Sequence, residues 1–454
     1  MNRDFFLTTD AAKQLYKVYA KDLPIIDYHN HLSIPDISEN KRYLNITDLW
    51  ISPDPYKHRA MRMCGLPERL ITGDSTDKEK FTAWCEIFPK LVGNPLYIWS
   101  LMELSVIFGI VETPNAQNAE EIYKKANDCL AQNETTPSTF FDKFKVEYAG
   151  PCASLCDDLV TFENSTHLAP SLRGDNIVEP TAEFIKTLSE KTGINIKSLD
   201  DLKAAICARL DRFHAVGCRF SDHALDNGFS FIPDDGKNGK RFEALLNGES
   251  LTKEDKKSLQ CSLIVFLGSE YAKRNWTMQL HIGAARFTST RLRALAGAAG
   301  GYAAIGNSTD VSSLLTLLDT LEQNGGLPKT ILFPLNPADN ALISVISGSY
   351  SKDNMAGLIT QGPAWWWCDH KQGILDVLEN TAAFGVLANF AGMTTDSRSF
   401  LSLVRHDYFR RVLCGWLGEK LEKGEFPLSI SELGQIVNDI CYLNAKKMTE
   451  VTNY

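Results

Sequence analysis

The sequence predicts an α/β fold: a (β/α)₈ TIM-like barrel with a large, mostly helical insertion after its first strand. Eight short apolar runs recur along the chain, each followed by polar or helically patterned sequence. Strands that alternate with helices pair in parallel. The chain has 454 residues, whereas eight such units close a barrel with about 250, which leaves about 150–200 for insertions. The third observation is the position of that surplus, which falls mainly between the first two runs.

The first run covers residues 23–28, after an N-terminal helical stretch, and leads into a polar cluster at the end of the strand. Residues 35–143 follow, with helical patterning near 77–91, 97–108 and 119–132, and read as an insertion over the barrel mouth. The remaining runs lie at 144–148, 167–172, 216–221, 277–282, 330–335, 357–361 and 390–395. The expected divisions are 1–34 (N-terminal helix and first strand), 35–143 (insertion) and 144–454 (the rest of the barrel with C-terminal helices). The polar stretch 226–257, rich in Lys, Asp, Asn and Gly, reads as a decorated loop.

Composition narrows the function. Hydrophobic residues at 44% and charged residues at 23% are globular values and exclude disordered and collagen-like classes. With 47 basic and 56 acidic side chains the net charge is -9. A nucleic-acid partner wants a basic face, so none is expected. No apolar run approaches the length of about 18 that spans a membrane. The N-terminus shows no apolar targeting segment, and the eleven cysteines show no CxxC spacing, so reduced thiols in the cytoplasm are expected. Cys152 and Cys156, the closest pair, read as ordinary half-buried thiols.

The chemistry centres on Asp27-Tyr28-His29-Asn30-His31 at the end of the first run. Alternate residues of a strand share a face, so His29 and His31 point the same way. Two imidazoles at the C-terminal rim of a barrel can share a divalent metal, or else bond loop backbone. His281 ends the fifth run and Asp396 the eighth, at the same predicted mouth. Three imidazoles and a carboxylate suit Zn, with Mn or Fe as alternatives. His58, His167, His214, His370 and His406 read as structural or surface residues, and Asp222-His223 as a hydrogen-bonding pair behind a ligand.

These residues sit in a wider pattern. Tyr56-Lys57-His58-Arg59-Ala60-Met61-Arg62, Gly93-Asn94-Pro95-Leu96-Tyr97 and Gly217-Cys218-Arg219-Phe220-Ser221-Asp222-His223 accompany the first motif. Ala364-Trp365-Trp366, Thr395-Asp396-Ser397-Arg398-Ser399-Phe400 and Arg405-His406-Asp407-Tyr408-Phe409-Arg410-Arg411 complete it. Nearly end to end, the chain resembles the uronate (glucuronate) isomerase family of the amidohydrolase superfamily. The resemblance implies a barrel of the metal-dependent hydrolase type. It implies interconversion of D-glucuronate with D-fructuronate and of D-galacturonate with D-tagaturonate through an enediol. It further implies a mononuclear site of His29, His31, His281 and Asp396, with Asp396 as ligand or proton carrier. Tyr56 matches an active-site tyrosine, Arg173 and Arg398 match substrate arginines, and Trp365 and Trp366 would wall the pocket. Planar guanidinium suits a carboxylate because it binds both oxygens. Arg398 as a rim ion pair and the tryptophans as packing are the plainer readings.

The chain departs from the family at several loop positions. An active-site histidine stands as Pro55, and a Thr-Thr-Asp-Asp-Pro run as Gly150-Pro151-Cys152-Ala153-Ser154. An Asn-rich stretch stands as Phe287-Thr288-Ser289, and an aspartate as Asn307. Alternatives are therefore a paralogue acting on a different sugar acid, a one-metal hydrolase, or a sugar-acid binder without turnover. A two-metal hydrolase is disfavoured because run 216–221 lacks lysine. The expected partner is a small hexuronate, and barrel enzymes of this size often form homo-oligomers.

Overall fold

Seven parallel strands form one curled sheet in the computed structural model, which describes residues 3–132, 135–163 and 165–450. They are β1 (Ile25–Asn30), β2 (Val146–Ser154), β3 (Ser171–Arg173), β4 (Phe220–Leu225), β5 (Thr277–Ile282), β8 (Thr330–Pro334) and β9 (Ile359–Gln361). Their order in the sheet is β1-β2-β3-β4-β5-β8-β9. The two-residue strands β6 (Ala284–Ala285) and β7 (Ala304–Ile305) form a separate antiparallel ribbon beyond the end of β5. Sequence order and spatial order agree because each crossover carries helix back over the sheet.

The eighth expected strand does not form as one. Residues 390–395 run beside β1, and the segment bonds to it through Asp396 N–H to His29 O at 3.2 Å and His31 N–H to Ser397 O at 2.9 Å. Gly392 and Asp396 have φ of 70° and 45°, which break the regular ladder along this segment. A Cβ at Gly392 would lie 2.1 Å from the Ile440 carbonyl oxygen, so the turn there is set by close backbone approach.

Several strand boundaries differ from expectation: β1 is shifted by two residues, β3 keeps only the end of its run, β9 starts two residues late, and β4 and β2 differ for local reasons that bear on the site. Run 216–221 begins as a helix end: the helix Leu199–Ala215 closes on Val216, and Gly217 turns the chain with φ 91°. The strand starts at Phe220, so Asp222 and His223 lie within it, not after it. β2 is longer than its apolar run and extends to Ser154, which places Cys152 in the sheet.

Between β1 and β2 the chain forms helices that include Pro55–Met63, Asp77–Ile87, Pro95–Phe108 and Ala119–Gln132. Trp50, Phe81, Trp84 and Trp99 from this segment are buried in the same apolar cluster as Leu172, Leu280 and Leu332 of the sheet. The helices and the sheet thus share one core. The stretch 226–257 is not wholly loop: it contains the helix Asn238–Leu246 and the start of the helix Lys253–Lys273. Phe242 is fully buried and anchors the first, and the Thr252 side chain caps the second. Among the described residues, no helix is long and apolar enough to cross a membrane.

Candidate active site

The end of β1 is held by the segment at its side. Asp27 is fully buried and accepts hydrogen bonds from the Thr395 amide and hydroxyl, both at 2.7 Å, and from the Thr394 hydroxyl at 3.0 Å. His406 lies against the same carboxylate at 3.4 Å, behind the site. This grip fixes β1 against residues 394–396 and carries Asp396 to the imidazoles. His29 Nε2 and His31 Nε2 lie 3.3 and 3.0 Å from Asp396 Oδ1.

His281 joins them from β5, its ring centroid 4.6 Å from that of His29. Asp222 on the neighbouring β4 accepts from His281 Nδ1 at 2.6 Å, which leaves Nε2 as the lone-pair nitrogen. Phe333 stacks on the His281 ring and Trp365 packs edge-on, with centroids at 4.5 and 4.6 Å. Cys152 on β2 places its Sγ 3.7 Å from His29 Nδ1. His281 Nε2 and Asp396 Oδ2 are buried and have no hydrogen-bond partner among the described residues.

The electrostatics follow from this crowding. Burial would raise the Asp396 carboxyl, but His29 and His31 outweigh it and hold the group well below the usual carboxylate range. Burial likewise opposes ionisation of the Cys152 thiol, and the same two imidazoles bring it down to about 7. His281 is pushed down by burial despite Asp222.

Imidazole nitrogen, carboxylate oxygen and thiol sulfur converge here, and no lysine or arginine of the described residues is hydrogen-bonded among them. Two triads, His29–His31–Cys152 and His29–Asp222–His281, each have their ligand atoms within 4.8 Å of one another. Such donor sets, with two buried polar atoms unmatched, fit a divalent cation.

Beside this cluster opens a cavity of about 610 Å³ lined by His31, Tyr56, Arg173, Trp366, Asp396 and Arg398, among others. Three guanidiniums face it. Arg173 donates to Asp175 at 2.9 Å, and Arg286 to Asp226 at 2.8 Å. Arg398 makes no hydrogen bond or ion pair among the described residues; burial and the nearby Arg173 charge press it below the usual guanidinium value. Tyr56 enters from the helix Pro55–Met63, and its hydroxyl donates to Asp369 Oδ2 at 2.9 Å. Burial and the Asp369 charge raise Tyr56 well above its ordinary value, so it stays protonated. Trp366, Trp367 and Asp396 hold φ of 25°, 26° and 45° along this wall, a conformation that costs side-chain-bearing residues of order 1–3 kcal/mol each.

The comparisons with known proteins converge on one family. The family model for glucuronate isomerase matches residues 1–449. The chain belongs to the glucuronate isomerase family. A uronate isomerase of Caldanaerobacter subterraneus subsp. tengcongensis is 42% identical, over 98% of this chain and 98% of that one. One from Oceanobacillus iheyensis is 40% identical over 98% and 97%. The crystal structure of a uronate isomerase from Thermotoga maritima superposes with a TM-score of 0.92 at 30% identity, covering 99% of each chain. The protein is therefore an isomerase of the intramolecular oxidoreductase class.

Within the glucuronate isomerase family, most residues singled out in the sequence meet at this site. His29, His31, His281 and Asp396 converge, and Tyr56, Arg173, Arg398 and Trp366 face one cavity. Trp365 does not line it: the indole is 3% exposed, sits behind His281 and donates to Phe333 O. Pro55 starts its helix and lines the cavity, where proline suits the first helical turn. Phe287 lies at the rim under Arg293, and Asn307 donates its amide to the Asn227 side chain.

Sequence reasoning missed Asp369, Trp367, Arg286 and the placement of Cys152. The triple Trp365-Trp366-Trp367 followed by Cys368-Asp369 was the available signal for two of them.

Proposed function

We propose that this chain interconverts aldo- and keto-hexuronates, D-glucuronate with D-fructuronate and D-galacturonate with D-tagaturonate, through an enediol. The observation that carries this reading is the unpaired Arg398 guanidinium in the cavity, adjacent to an Asp396 carboxylate with one unmatched oxygen. A hexuronate presents a carboxylate at C6 and exchangeable hydrogen at C2. Arg398, with Arg173 alongside, binds the C6 carboxylate and sets the sugar's direction in the cavity. Asp396, ionised at neutral pH, takes the C2 proton on Oδ2 and returns it to C1. Tyr56 keeps its proton and donates it to Asp369, so its oxygen accepts from a sugar hydroxyl and orients O2 and O1, between which the matching proton passes. Trp366 walls the cavity, and Trp365 supports it from behind.

His29, His31, His281 and Asp396 would hold a divalent cation, Zn in first place with Mn or Fe as alternatives. When bound, that cation supplies Lewis acidity to the sugar oxygens. Residues 390–395 serve as the eighth stave of a (β/α)₈ barrel, and residues 35–143 act as an insertion that carries Tyr56 to its mouth. Free cysteines throughout the described chain support a cytoplasmic setting.

Incubation of the metal-loaded protein with each aldose in D₂O, followed by proton NMR, tests the proposal. Ketose formation, or loss of the C2 proton signal, is expected. An unchanged spectrum with both sugars, from folded and metal-loaded protein, would sink it.

A further inference from the structure

We propose that Cys152 is a ligand of the metal centre, so that this chain grips its cation with sulfur as well as nitrogen and oxygen. The inference rests on the reading that the strand-end cluster binds a cation, and it adds a donor to that cluster. β2 lies directly beside β1, with Asn30 paired to Pro151, so Cys152 emerges next to the two imidazoles. Its Sγ is 3.7 Å from His29 Nδ1, and the donor atoms of His29, His31 and Cys152 all lie within 4.8 Å of one another. Donors about 2.0–2.3 Å from a shared zinc-like ion fall within that span.

Two further observations separate this thiol from an ordinary one. Two buried thiols of this chain, Cys218 and Cys368, donate to backbone carbonyls, Phe220 O at 3.3 Å and Leu335 O at 3.4 Å. Cys152 instead faces an imidazole nitrogen and, at 4.0 Å, an Asp222 carboxylate oxygen. Independently, Asp396, whose side chain is 7% exposed, touches both imidazoles through Oδ1 while its Oδ2 has no partner. A polar atom buried in that way beside His31, whose ligand atom also lies within 4.8 Å of the Cys152 sulfur, points to a ligand there.

Binding would deprotonate the thiol, with the proton released to solvent. Thiolate is a soft donor, and its presence shifts selectivity from Mn²⁺ toward Zn²⁺ and Co²⁺.

The test loads the full chain with Co²⁺ after metal removal and records its absorption spectrum. The wild type should show a near-ultraviolet sulfur-to-cobalt charge-transfer band beside the visible ligand-field bands. Cys152→Ser should lose the first and keep the second, and its preference for Zn²⁺ over Mn²⁺ should fall about tenfold or more. Ligand-field bands without a charge-transfer band in the wild type would overturn the sulfur ligand alone. Failure of the wild type to bind Co²⁺ or Zn²⁺ would overturn the metal centre with it. A measurement free of the variant is alkylation mapping of the wild type. Cys152 should be protected from iodoacetamide by Zn²⁺ and modified after chelation, and equal modification in both states would refute ligation.

Discussion

Two buried polar clusters flank the cavity, and they solve the problem of burial in opposite ways. The cluster between the helical segment, residues 368–370 and the helix Val404–Glu422 brings its own cations. Lys57, 1% exposed, lies 2.6 Å from Asp54 and 3.6 Å from Glu103, with its ammonium over Trp50. Arg405, equally buried, sits 3.6 Å from Asp369 and over the rings of Trp99 and Tyr56. The cluster at the strand ends has carboxylates, imidazoles and a thiol, and no lysine or arginine bonded among them. Both clusters leave buried atoms unmatched, Glu103 Oε1, Asp369 Oδ1 and Arg405 Nε in the first and His281 Nε2 and Asp396 Oδ2 in the second; the difference is that lysine and arginine offset the carboxylates of the first, whereas only lone pairs converge in the second, as a ligand requires. Tyr56 joins the two. Its hydroxyl is held by Asp369 of the first cluster, and the residue lines the cavity beside the second.

If that division is right, damage to the first cluster registers in stability and damage beside the second in substrate binding. The largest effect is expected for Lys57→Met, which strands Asp54 and Glu103 without their cation. A loss of about 3–5 kcal/mol in urea unfolding at neutral pH is expected, and a change within error would show that the pair is not what holds this region.

His58, which shares the first cluster through Asp54, gives a pH signature. Burial depresses its imidazole from 6.5 to about 4. The unfolded chain therefore binds the extra proton first, and the neutral folded form contributes stability that is full above pH 6.5 and lost as pH falls toward 4. His58→Phe should flatten that part of the unfolding free energy against pH by up to about 3 kcal/mol. A parallel curve would assign the acid sensitivity to other groups.

The smallest effect on free energy, and the sharpest on function, belongs to Arg398→Ala. Loss of a charged hydrogen-bond pair with the substrate carboxylate is worth about 1.5–3 kcal/mol, or about a 10- to 100-fold rise in KM for uronates. The melting temperature should not move, because Arg398 bonds to nothing else among the described residues. A lower melting temperature with unchanged KM would reverse its assignment.

Much of the molecule could be read from local pattern. β5 spans the residues its apolar run marks, and β8 differs from its run by one residue at its end. His29 and His31 share a face because a strand alternates with period two, whatever surrounds it. The errors have local causes as well. Val216 is apolar but closes a helix, and β2 continues through Gly150 and Pro151, which read as loop residues. That second error hid Cys152, since a cysteine in a presumed loop has no reason to meet a histidine on β1.

The sequence by itself determined the alternating elements, the parallel sheet they build and the histidine pair at the end of β1, since each depends on periodicity or on neighbours in the chain. Only the tertiary structure decided that Asp369 holds Tyr56 across 313 positions, that Arg173 and Arg286 are paired while Arg398 is not, and that Cys152 faces His29. Those facts depend on which side chains meet after the sheet curls and the helices cover its mouth. Chain-local pattern carries no record of such meetings, because burial, pairing and electrostatic shifts arise between residues that are distant in sequence.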